Sequence, residues 1–74
     1  MAAFSPDGKI FVLTHGDGNV ATLHDSATGA KLAVLGGHTN TVSNATFIAD
    51  GNRLITMSTD HTARIWDISG VKAE

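Results

Sequence analysis

Four histidines, seven carboxylates and a single tryptophan hold most of the reactive side-chain chemistry in this 74-residue chain. His15, His24, His38 and His61 stand 9, 14 and 23 residues apart, a spacing that matches no compact zinc pattern. With no cysteine present, imidazoles would have to hold any metal alone. The pair His24-Asp25 has the form of the His-Asp step in metal-dependent phosphohydrolases, but the helical ligands that surround such a step are missing. Gly16-Asp17-Gly18-Asn19 begins like a calcium loop, yet the acidic run and closing glutamate do not follow. Gly and Asn tolerate positive φ, so the run reads as a hairpin turn. Ser43, Ser58 and Ser69 lack a Gly-x-Ser-x-Gly setting, and there is no thiol, so covalent catalysis has no candidate. The chain is accordingly expected to be non-enzymatic and to need no cofactor or metal.

Bulk properties narrow the partners. A net charge of −2 and five scattered basic residues argue against a nucleic-acid surface, because phosphate binding requires clustered Lys and Arg. The N-terminus MAAFSPDGKI lacks the basic head and apolar run of a signal peptide, and no apolar stretch reaches membrane-spanning length. The expectation is a soluble, cytoplasmic protein with neither nucleic-acid nor membrane partners.

The elements that must position these residues follow from an internal repeat. Phe4 to Lys31 lies over Phe47 to Lys72, with the phenylalanines, the pairs Asp7-Gly8 and Asp50-Gly51, Asp25 and Asp67, Gly29 and Gly70, and the lysines in register. The offset slips from 43 to 42 to 41, and both slips fall in turns, where insertions are tolerated best. Gly, Asn and Asp punctuate short runs rich in β-branched and aromatic residues. Strands are predicted at about 1–4, 9–15, 19–25, 30–35, 42–47, 53–58 and 62–67, with a stub at 71–74 and no helix. Hairpin-length links make consecutive strands antiparallel. In Ile10-Phe11-Val12-Leu13 and Leu32-Ala33-Val34-Leu35 successive residues are apolar, so both faces of the sheet require cover.

Gly37-His38, Val42, Phe47, Asp50-Gly51, Leu54, Ser58, Asp60 and Trp66-Asp67, with 28 residues from His38 to Trp66, resemble one complete repeat of the WD-repeat β-propeller family. The resemblance implies an all-β fold of antiparallel four-stranded blades, about two per chain and part of a ring. Residues 1–36 would form a partial, degenerate repeat and 37–74 a second repeat with a truncated last strand. It also implies a buried hydrogen-bonded set of Trp66, His38, Asp60 and either Thr56 or Ser58. The last two share a strand face, so sequence leaves that choice open. This set uses two of the three residues, Asp25, His38 and Asp60, that could be combined into a catalytic triad on paper. In the first copy His24 replaces the tryptophan and no Gly-His precedes it, leaving His15, His24 and Asp17 as a substitute group.

The chain falls ten residues short of two periods, which makes it an expected excerpt of a longer propeller. Closed propellers take about 4–8 blades, and an isolated pair would expose apolar faces and strand edges. The expectation is a homo-oligomer of three or four chains, or association with other propeller blades. The resulting function is an interaction scaffold for an unidentified protein or peptide, or a complementing fragment with no ligand of its own. Arg53 and Arg64 are the candidate interaction residues, since a guanidinium at a blade rim can engage a carboxylate.

Overall fold

The computed structural model describes residues 1–15 and 18–71. Seven strands run β1 (Ala2–Phe4), β2 (Ile10–Thr14), β3 (Ala21–Asp25), β4 (Lys31–Leu35), β5 (Val42–Phe47), β6 (Arg53–Ser58) and β7 (Ala63–Asp67). They form two antiparallel meanders, a four-stranded sheet β1-β2-β3-β4 and a three-stranded sheet β5-β6-β7. The architecture is therefore all-β, as the turn punctuation requires. The expected stub at 71–74 falls mostly on residues that are not described; Val71 itself belongs to no strand.

Turn chemistry sets the strand limits. Asp7 Oδ1 accepts the Ser5 hydroxyl at 2.7 Å and the Lys9 N–H at 3.0 Å, and Gly8 follows with φ 73°. Its repeat partner Asp50 accepts the Asn52 N–H at 2.8 Å, and Gly51 takes φ 74°. In both turns the carboxylate ties the chain two residues ahead, and only glycine enters the left-handed region without a Cβ penalty. These bonds and others hold the carboxyl groups of Asp7 and Asp50 below the usual carboxylate range.

The two sheets stack, with β1 and β2 lying against β5. Alternation along each strand decides which side is dry. On the first sheet Val12 and Leu23 pair across β2 and β3 and are fully buried. They share one core with Ala45 and Leu54 of the second sheet, and Phe47 and Trp66 pack against it. The opposite faces point outward. Phe4, Phe11 and His24 are cross-strand neighbours on the first sheet, and Phe4 remains 63% exposed. On the second, Ile55 pairs with Ile65, and Ile65 is 67% exposed. Apolar character on both faces of each sheet thus translates into one covered and one uncovered face per sheet.

Candidate functional site

His38 enters on the connection between β4 and β5, directly after Gly37, whose φ of 133° suits a residue without a side chain. A Cβ there would also stand 3.1 Å from the Arg64 guanidinium carbon. Thr56 lies on β6, Trp66 on β7, and Asp60 in the turn between those strands. Thr56 pairs with Arg64 across the ladder, which makes Trp66 its diagonal neighbour, within reach of a large indole.

The bonds run in one direction. Trp66 Nε1–H donates to Thr56 Oγ1 at 2.9 Å, and Thr56 Oγ1 lies 2.7 Å from His38 Nε2. His38 Nδ1 lies 3.2 Å from Asp60 Oδ2. An ionised carboxylate only accepts, so Nδ1 carries a proton; in the neutral imidazole Nε2 is then the acceptor, and the Thr56 hydroxyl donates to it. Thr39 N–H donates to Asp60 Oδ2 at 2.9 Å and Thr62 N–H to Oδ1 at 2.8 Å. The Thr62 hydroxyl bonds Asp60 Oδ1 and also sits 3.2 Å from His38 Nδ1. The Thr62 hydroxyl, then the N–H groups of Thr39 and Thr62 and the His38 imidazole, push the Asp60 carboxyl far below its ordinary value, outweighing the desolvation that opposes them.

The structure therefore brings together His38, Thr56, Asp60 and Trp66, and leaves Ser58 aside. Ser58 faces the turn, where its hydroxyl donates to the Asn40 carbonyl at 3.2 Å and accepts the Asp60 N–H at 3.1 Å. Thr62 and Thr39 were not anticipated. The local signal for Thr62 is the Asp60-His61-Thr62 turn, in which an aspartate precedes a hydroxyl residue by two positions.

The order hydroxyl, imidazole, carboxylate is that of a nucleophilic triad. Its hydroxyl, however, belongs to a residue only 1% exposed and already takes the indole N–H. A substrate carbonyl cannot approach it. Asp25 lies in the other sheet, where its carboxylate accepts the Ala27 N–H at 2.8 Å. Among the described residues every buried side-chain nitrogen and oxygen has a hydrogen-bond partner, and this is the arrangement that stabilises rather than reacts.

The first sheet has a different constellation. His15 Nε2 and His24 Nε2 both lie against the Thr22 hydroxyl, at 3.4 and 2.8 Å, and His24 Nδ1 meets the Gly29 carbonyl at 3.1 Å. His24 also stacks on Phe11, with ring centroids 5.1 Å apart. Asp17 lies outside the described residues. No three metal-ligating groups gather among the described residues. Arg53 forms a surface pair with Asp50 at 3.1 Å, and Arg64 donates to the Gly37 carbonyl at 3.1 Å. At the end of the sheets opposite His38, Ser5, Asp7, Lys9, Asn52 and Ile68 line a recess of about 310 Å³ between them.

The WD domain, G-beta repeat family matches residues 29–67, the stretch that holds the whole His38 network. The chain belongs to the WD-repeat family. Among relatives, WD repeat-containing protein 1 of Gallus gallus is 37% identical over 68 residues, covering 88% of this chain and 11% of its own length. The Xenopus tropicalis protein of the same name is 37% identical over 73 residues, covering 95% of this chain and 12% of its own. Pre-mRNA-processing factor 19 homolog 2 of Arabidopsis thaliana is 36% identical over 58 residues, 78% of this chain and 11% of its own length. The chain thus spans only about 11–12% of the length of these relatives. WD-repeat proteins are generally protein-interaction scaffolds, and generally not enzymes.

Proposed function

We infer that this WD-repeat chain acts as a non-enzymatic protein-interaction scaffold, a pair of propeller blades whose ring is completed by oligomerisation. The observation that carries the reading is the pair of uncovered apolar faces. Phe4 and Phe11 lie on one and Ile55, Met57 and Ile65 on the other, which leaves each sheet covered on one side only. Large exposed apolar faces of this kind favour association. Three or four chains would supply the six to eight blades of a ring within the usual range. Loop ends and the central opening of such a ring would then present a surface to a protein or peptide, with the exposed Arg53 and Arg64 as candidate contacts that would exchange Asp50 and the Gly37 carbonyl for groups of the ligand.

Sedimentation equilibrium tests the reading. The expected mass is three or four times the 7.7 kDa of the chain, and a well-behaved monomer at the same concentration would refute ring completion. A second reading, a complementing part of a larger propeller that binds nothing by itself, is favoured by the same uncovered faces. Capture of a partner by the assembled chain and not by the unassembled chain distinguishes the scaffold from that alternative.

A further inference from the structure

We draw no further inference here: the strongest candidate, the recess of about 310 Å³ between the turns of the two sheets lined by Ser5, Asp7, Lys9, Asn52 and Ile68, carries nothing because Asp7 and Lys9 set opposite charges on one wall and nothing in the structure shows what fills it.

Discussion

Replacing Thr56 with valine separates hydrogen bonding from packing, because the two side chains have nearly the same shape. The hydroxyl occupies the centre of the network, accepting from the Trp66 indole and donating to His38. Thr56→Val leaves the indole N–H and the His38 Nε2 lone pair without partners. An orphaned buried polar group costs roughly 1–3 kcal/mol. His38 is buried and bears that cost in full, whereas the partly buried indole recovers some solvation. The sum is about 2–4 kcal/mol, a large part of the roughly 4–11 kcal/mol that a domain of this length has in hand at about 0.05–0.15 kcal/mol per residue. At about 4–8 °C per kcal/mol for a small domain, the melting temperature should fall by roughly 8–32 °C. Ser58→Ala is the control: its hydroxyl lies where water can replace both bonds, so the loss should stay below about 1 kcal/mol. Thermal unfolding followed by circular dichroism, at one fixed protein concentration because association shifts stability, measures both. Equal losses in the two variants, or a Thr56→Val change within about 0.5 kcal/mol of wild type, would show that the network is not a stabilising unit.

Three further outcomes follow from the same geometry. The Asp60 carboxyl is held far below its ordinary value of 3.8, so its contribution to stability is complete above that value and is lost as pH falls through it toward the folded-state value. Acid titration of stability should therefore show a drop beginning near pH 4 that is smaller in Asp60→Asn, the difference isolating Asp60 from Asp7, Asp50 and Asp67, which shift the same way. Gly37→Ala should destabilise by about 1–3 kcal/mol through its backbone conformation. Arg64→Ala in the same chain removes the side-chain clash and should recover only a minor part, as measured by denaturant midpoints. Asp25→Ala should cost more than Asp67→Ala in thermal unfolding, because repeat-matched carboxylates differ in burial; equal costs would contradict the role given to stacking.

Much of the fold is written in local chemistry. Asp7-Gly8, Asp50-Gly51 and the Gly29 turn act within a few residues of themselves, so the seven strands fall within two residues of the limits their punctuation predicts. Thr56 and Ser58 show the limit of that reading. Both lie on β6 with the same alternation, and only the curl of the β6–β7 turn draws Ser58 toward Asn40 while Thr56 stays beneath the indole. The Thr22 bridge between His15 and His24 was half hidden: Thr22 and His24 stand two apart on β3, but His15, just beyond the end of β2, meets Thr22 only through the pairing of those two strands.

Taken alone, the sequence determined the repeat, the antiparallel meander and the demand for cover on both sides of each sheet, since period-two patterning and turn residues act over short distances. Tertiary structure decided which face each sheet buries, which hydroxyl completes the His38 network and which carboxylate lies open. Those outcomes depend on the packing of one sheet on another, and packing joins residues that local pattern treats as equivalent.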